Sequence, residues 1–286
     1  MDLNRIIQGD CLEVLKTLPP NSVHLIVTSP PYAMQRKDDY GGIKESDYLE
    51  WFLERAKEMR RVLTPNGSFV LNIKEHTKNY IRSTYVLELQ LALIKELKFH
   101  WIDTYVWVKK NTYPIGIKNS KKLKDGWEPC FHFAKGLDFR PNFDEVKIPL
   151  SQSMIERKAM LQKTPKDKLK KIKKAKSGSV FELNIDTNMM NINSAYPSNV
   201  MYWAVGDNRK DRVMHSAIFP KELPAFFIKC FTDPNDVVLD PFSGSGQTCI
   251  EAKKRGRRYL GIELMENYVR YSEKRLREVQ PTLNVF

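Results

Sequence analysis

Short apolar runs alternate with stretches of helical periodicity at both ends of this chain, and that alternation restricts its fold more than any other feature. Val23–Thr28 reads as a strand. Asp47–Leu63 then carries Leu49, Phe52, Leu53, Ala56, Met59 and Leu63 at helical spacing, behind a Ser46 or Asp47 cap. Pro65-Asn66-Gly67 makes a turn into a second strand, Ser68–Ile73 (SFVLNI), followed by a helix over about Thr84–Leu97 and a strand over Asp103–Val108. The rhythm stops over about residues 112–200, which are rich in Lys, Asn, Ser and Pro. It resumes with a helix over Lys221–Cys230, a strand Val237–Asp240, a helix Gln247–Arg255, a strand Arg258–Glu263 and a helix Met265–Val279. Strands that alternate with helices pair in parallel, because each return needs a crossover. The expectation is an α/β, doubly wound, mostly parallel sheet in two halves, 1–111 and 201–286, interrupted by a basic insert at 112–200.

Charge says what such a sheet could meet. The chain of 286 residues has a formal net charge of +13. Ten Lys/Arg against two acids lie between Glu156 and Lys176, so eight of those thirteen charges fall in 21 residues. Such an excess suits a polyanion bound through phosphate contacts and counterion release. Charge alone does not separate DNA, RNA and an acidic membrane, and a solvated surface segment would look the same. No apolar stretch approaches the roughly 20 residues needed to span a bilayer, so a soluble, cytoplasmic, nucleoid-associated protein without a membrane partner is expected. Cys11, Cys130, Cys230 and Cys249 are far apart and include no C-x-x-C pair, which points to free thiols in a reducing compartment and to no metal site.

Two short segments carry chemistry. The first reads Asp236-Val-Val-Leu-Asp240-Pro-Phe242-Ser-Gly244-Ser-Gly246-Gln-Thr248. A strand ends at Asp240 and a glycine-rich turn opens a helix, where backbone can pass under a ligand and free N–H groups favour an anion. The next strand ends in Glu263, 23 residues after Asp240, where a carboxylate can accept both hydroxyls of a ribose. Together these describe a site for an adenosine-type cofactor. A nicotinamide fingerprint would want Gly or Ala where this chain has Cys249, which counts against a dehydrogenase.

The second segment is Thr28-Ser29-Pro30-Pro31-Tyr32, directly after the first strand. Two prolines fix φ near −65° and remove two donors, leaving a stiff turn with exposed carbonyls. The Ser29 hydroxyl and the Pro30 carbonyl can accept from an NH₂ group while the Tyr32 ring stacks on a planar base. An exocyclic amine needs such acceptors because its lone pair is delocalised into the ring. Ligands of an open α/β sheet bind beyond the carboxyl ends of its strands, so both segments should meet on one edge, the geometry that direct group transfer requires.

The ordered pair of motifs resembles the β class of DNA amino-methyltransferases, in which an S/D/N-P-P-Y motif precedes an F-x-G-x-G motif. The likeness covers nearly the whole chain. It implies a Rossmann-like methyltransferase fold, S-adenosyl-L-methionine as cofactor, double-stranded DNA as substrate, and a small inserted target-recognition region at 112–200. It implies Ser29, Pro30, Pro31 and Tyr32 as the catalytic turn acting on a flipped-out base. On the cofactor it implies Asp240, Phe242, Ser243, Gly244, Gly246 and Thr248, with Glu263 on the ribose. Gln8-Gly-Asp10-Cys11 is similar to the family's N-terminal approach to the cofactor, through Asp10 and Cys11. His215-Ser-Ala-Ile-Phe219-Pro220 is similar to the element before the glycine-rich motif, through His215, Phe219 and Pro220. Gln247 stands where the family often has Thr, leaving Thr248 as the expected hydroxyl contact. Trp107 is either a second face for the base or a core residue. Lys109, Lys121, Lys122 and Lys124 are expected on DNA, the last three as phosphate contacts. A cognate restriction endonuclease and a homodimer are further partners of this class.

Serine at position 29 favours N4 of cytosine over N6 of adenine, since aspartate is the commoner residue there in adenine enzymes. Methylation of a base carbon through Cys130 is set aside, because Cys130 lies in an apolar strand-like run and an amine acceptor needs no covalent adduct. Methylation of RNA or of a protein glutamine fits the serine and the motif order less well. A DNA-binding module without activity would explain the charge but neither motif.

Overall fold

The computed structural model describes residues 1–34, 42–110, 121, 123, 125–163, 170–174, 180–184, 192–204 and 219–280. They form two compact units, one of Met1–Asn142 with Ser198–Phe286 and one of Phe143–Pro197.

The larger unit is built on an eight-stranded sheet. Its strands are β1 (Arg5–Gln8), β2 (Val23–Thr28), β3 (Leu63–Asn72), β4 (His100–Lys109), β5 (Trp127–Ala134), β6 (Val200–Trp203), β7 (Val237–Asp240) and β8 (Arg258–Glu263). Their order is β1-β8-β7-β2-β3-β5-β4-β6, and only β5 runs antiparallel to its neighbours. The helices of this unit are α1 (Cys11–Thr17), α2 (Glu45–Val62), α3 (Tyr85–Lys95), α5 (Glu222–Phe231), α6 (Gln247–Lys254) and α7 (Glu266–Arg277), while α4 (Gln152–Lys163) belongs to the smaller one. Strands β2 (VHLIVT) and β7 (VVLD) are mostly Val, Ile and Leu, and nearly all buried, because helices cover both of their faces. The chain leaves β7 through α6 to β8 on one side, and leaves β2 through α2 to β3 on the other. Right-handed crossovers in opposite directions put the two helices on opposite faces. The strand order therefore reverses between β7 and β2, where an open α/β sheet leaves its crevice.

The sheet expected from the sequence is present, with three differences. Helix α2 begins at Glu45 with Lys44 as an N-cap that makes no side-chain bond, and Ser46 bonds Asp47 instead of capping. It turns Tyr48, Phe52, Ala56 and Met59 fully inward, leaving Leu49 and Leu53 half-buried. The Pro65-Asn66-Gly67 turn survives as a bulge inside β3: Val23 pairs with Leu63, yet Leu25 pairs with Ser68. The third difference concerns the insert. Residues 127–134 form the strand between β3 and β4 and bury every side chain from Pro129 to Ala134, because this apolar run is worth more inside the sheet than in a polar loop. The separate unit is the shorter Phe143–Pro197.

Within that smaller unit, Ile148–Pro149 pairs with Ser194–Ala195, and Lys170–Lys174 pairs antiparallel with Val180–Asn184. Lys158 of α4 donates to the Ile192 carbonyl at 2.7 Å, and Tyr196 donates to Asp144 at 2.8 Å. The described parts of the lysine-rich run, 156–163 and 170–174, lie in a helix and a strand. No described helix is long and apolar enough to cross a membrane, and no cluster of His, Cys, Asp and Glu suited to a metal occurs among the described residues.

Candidate active site

Asp240, the last residue of β7, ties the two sequence motifs together. Its carboxylate is buried and accepts hydrogen bonds from Thr28 Oγ1, at the end of β2, and from Thr248 Oγ1, in α6, each at 2.7 Å. The Phe242 N–H adds a third at 3.1 Å. Burial pushes this carboxyl up to about 6, against the pull of the three donors. Asp240 is therefore a knot behind the site. It clamps the glycine loop of residues 241–246 to the Ser29–Tyr32 turn at the point where strand order reverses.

A cleft of about 520 Å³ opens in front of that knot. One end is walled by the glycine loop through Phe242, Ser243 and Gly244, with Glu263 behind it, Gly9, Asp10 and Cys11 at the mouth of α1, and Phe219. Gly244 has φ +50°, a left-handed conformation that glycine adopts without strain, and its N–H donates to Glu263 Oε2 at 2.8 Å. Met265 N–H donates to Glu263 Oε1 at 2.9 Å. A carboxylate is an acceptor-only group, suited to the hydroxyls of a ligand. Trp51 and Phe242 add an aromatic wall, their ring centres 5.7 Å apart. Buried acceptors, backbone turned toward the space and flat apolar walls together fit an adenosine-type cofactor.

The other end is walled by Ser29, Pro30, Pro31 and Tyr32, with Asn72, Lys74, Trp107, Lys109 and Glu128. The turn is held from behind, since Tyr48 donates to the Pro31 carbonyl at 3.0 Å. Tyr32 donates to Glu128 Oε2 at 3.2 Å, and Lys109 pairs with Glu128 Oε1 at 2.5 Å. Burial and the neighbouring Glu128 carboxylate hold the Tyr32 hydroxyl well above the ordinary tyrosine range, so it stays protonated. Trp107 is a core residue, 3% exposed and donating to the Trp203 carbonyl at 3.1 Å, that also lines the cleft. Lys74 is buried, donating to the Trp127 carbonyl at 2.6 Å beside Asp125 at 3.3 Å, and burial lowers its pKa.

Several sequence expectations fall elsewhere. Thr248, expected as a hydroxyl contact, spends its hydroxyl on Asp240, and Gln247 lines the cleft in its place. Gly246 faces Ser272 of α7, and the Pro220 carbonyl accepts from Leu223 at the start of α5; neither lines the cleft. Lys109 is in the cleft wall as the partner of Glu128, and Lys121 lies outside the cleft, 5.8 Å from the Tyr80 ring centre. His215, Lys122 and Lys124 lie outside the described residues. Cys130 is buried and its thiol is pushed well above the ordinary range by that burial, the opposite of what a thiolate nucleophile needs. Cys11 lines the cleft with its thiol raised to about 12 by burial.

The sequence reading missed Arg55, Lys74 and Glu128. Arg55, with a side chain 8% exposed, pairs with both oxygens of Asp10 at 3.1 and 2.9 Å and lies 4.3 Å from the Trp51 ring centre. A charged residue on the inward face of α2 was the available signal for it. Lys74 follows the carboxyl end of β3, the edge where ligands of such sheets bind, and was legible on that ground. Glu128 enters the cleft on an antiparallel strand that carries no such rule.

The fold and cleft define a class: an open α/β enzyme with a nucleoside-type pocket and an acceptor-lined pocket meeting at its switch point. The family model for DNA methylases of the N6/N4 type matches residues 23–274, and this chain belongs to that family. It is 30% identical over 278 residues to the type II methyltransferase M.PvuII of Proteus hauseri, spanning 91% of this chain and 80% of that one. It is 30% identical to M.HinfI of Haemophilus influenzae, spanning 99% of this chain and 70% of that one. The solved PvuII DNA methyltransferase (cytosine-N4-specific) superposes with a TM-score of 0.70 at 25% identity, covering 98% of this chain and 87% of that one. A DNA modification methylase from Thermus thermophilus, complexed with S-adenosyl-L-methionine, shares the fold at a TM-score of 0.59 and 24% identity, covering 99% and 97%. The protein is a DNA methyltransferase of the N6/N4 class.

Proposed function

We propose that this enzyme transfers the methyl group of S-adenosyl-L-methionine to N4 of a cytosine flipped out of duplex DNA. The observation that carries the reading is the Thr28–Asp240–Thr248 knot, which brings the cofactor loop and the Ser29–Tyr32 turn to one cleft. S-adenosyl-L-methionine supplies an electrophilic methyl group on a positively charged sulfur. Glu263 would accept the ribose hydroxyls, and Trp51 and Phe242 would give the adenine an apolar wall to lie against. The Ser29 hydroxyl and the Pro30 carbonyl accept the two hydrogens of the target amine, and as they do so nitrogen becomes more tetrahedral and its lone pair more available. Tyr32 and Trp107 hold the base, which must leave the stack to reach this depth. The smaller unit serves as the target-recognition region, and its lysines hold the duplex through phosphate contacts that set register but do not read sequence. A cognate endonuclease fits the type II systems named for its relatives.

Serine at position 29 and the likeness to a cytosine-N4-specific enzyme favour cytosine. Unmethylated DNA incubated with the enzyme and cofactor, digested to nucleosides and weighed by mass spectrometry, should yield N4-methylcytosine. N6-methyladenine would keep the mechanism and overturn the base assignment. Ser29→Ala should lower the single-turnover rate while leaving cofactor and DNA affinity near wild type, because the contact forms chiefly in the transition state. An unchanged rate would remove the role of this side chain.

A further inference from the structure

Shortly after β3 the chain builds a six-residue hairpin whose tip is strained. Thr77 pairs with Arg82 and Lys78 with Ile81 in antiparallel register, so Asn79 and Tyr80 alone make the turn. Both have positive φ, +51° and +66°, the pattern of a type I′ turn, in which Asn-Gly is the favoured pair. Asn79 suits that conformation. Tyr80 does not, because a bulky L-residue is strained in the left-handed region. The strain brings no packing in return: Tyr80 is 54% exposed and Ile81 is 73% exposed. Strain of this kind collects where a residue is used for binding or catalysis.

The hairpin stands on the rim of the cleft. Arg82 hydrogen-bonds Glu75 and, at 2.6 Å, Asp125, and Asp125 lies 3.3 Å from Lys74. Lys74, Glu75 and Asp125 all line the cleft. The Ser83 N–H donates to the His76 carbonyl at 3.1 Å and closes the base of the hairpin. Two strand steps put the turn roughly 7 Å past Arg82, and the length of a tyrosine side chain adds to that. A DNA groove is roughly 7.5–8.5 Å deep, so the ring can cross one and reach the base stack. Lys121 lies 5.8 Å from the Tyr80 ring centre, where its charge can meet a phosphate beside the ring.

We infer that Tyr80 is a wedge that enters the duplex at the gap left by the extruded base. The inference rests on the flipped-base reading and deepens it. Drawing a base out of the stack leaves its neighbours bare on one side, and that unstacking opposes extrusion. Apolar side chains inserted between base steps hold such a distortion open, and an aromatic ring stacks on whichever base borders the gap, since every base has a π-face. The fixed turn then has a use: a ring already held in place loses little freedom when it inserts. Tyr32 and Trp107 hold the base that has left the stack, and Tyr80 fills the place it left.

Unmethylated genomic DNA treated with the wild-type enzyme, with its methylated positions mapped by sequencing, supplies the duplex for the test. Tyr80→Gly relieves the turn and removes the ring; Tyr80→Phe keeps the ring. Tyr80→Gly should melt no lower than the wild type, because glycine adopts positive φ without strain, and its affinity for S-adenosyl-L-methionine should stay within about twofold. It should slow single-turnover transfer to the mapped duplex about 5- to 150-fold, the range of one base–aromatic stack. Binding to the same duplex with an abasic site at the target position, where the gap already exists, should weaken by a similar factor. Binding to a duplex without the mapped sequence should change by less than about twofold. Tyr80→Phe should restore most of both losses. Full rate in Tyr80→Gly, or full affinity for the abasic duplex, would overturn the inference. An equal loss on the unrelated duplex would overturn it too, since Tyr80 would then be a general DNA contact. So would a Tyr80→Phe enzyme as slow as Tyr80→Gly, which would assign the effect to the hydroxyl. Failure of the underlying reading shows separately, as absence of a methylated exocyclic amine in the wild-type reaction.

Discussion

Replacing Gly246 with alanine should cost the protein stability before it costs anything else. Gly246 precedes α6 with φ +78°, and a Cβ built there would lie 2.7 Å from Ser272 Cβ on α7. A left-handed conformation costs a non-glycine residue about 1–2 kcal/mol. Forcing α6 and α7 apart by one carbon adds about 1–3 kcal/mol of overpacking. The sum, about 2–5 kcal/mol, is a large share of the roughly 5–15 kcal/mol that holds a typical protein together. A melting point lowered by roughly 5–15 °C is expected for a chain of this size. Ser272→Gly in the Gly246→Ala background should restore the overpacking part but leave the strain, so the two substitutions should couple by about 1–3 kcal/mol. Urea unfolding of the wild type, both single variants and the double variant measures this directly. Additive effects, or a Gly246→Ala protein as stable as the wild type, would refute the packing argument and return Gly246 to the cofactor role that its place in the glycine-rich motif suggests.

Two further outcomes follow from the buried carboxylates. Glu263→Gln sets an amide NH₂ against the N–H of Gly244 or Met265, and should weaken cofactor binding about 5- to 150-fold by the usual penalty for an unsatisfied buried group; calorimetric titration giving wild-type affinity would remove Glu263 from the site. Asp240 titrates at about 6 in the folded protein and near 3.9 when unfolded, so its proton contributes stability that is full below about pH 4 and lost as pH rises through about 6. Asp240→Asn should therefore gain on the wild type by about 3 kcal/mol between about pH 4 and pH 7, and a difference that does not vary with pH in unfolding experiments would contradict a raised pKa.

By itself the sequence determined the doubly wound sheet, the two motifs and their meeting on one edge, because these depend on local periodicity, turn chemistry and a general rule about strand ends. Val237–Asp240 and Arg258–Glu263 are read to the residue, since an apolar run bounded by Asp236 and by a glycine turn leaves few choices. Tertiary structure decided everything that depends on where a side chain's hydrogen bonds go. Asp240 and Thr248, both within the cofactor motif, spend their polar atoms on each other and on Thr28, 212 residues from Asp240 along the chain. Glu128 and Tyr32, 96 residues apart, meet only because β5 inserts antiparallel between β3 and β4. A hydrophobic pattern is written along the chain, but a hydrogen-bond partner is chosen in space, among groups that the fold alone brings within about 3 Å of one another.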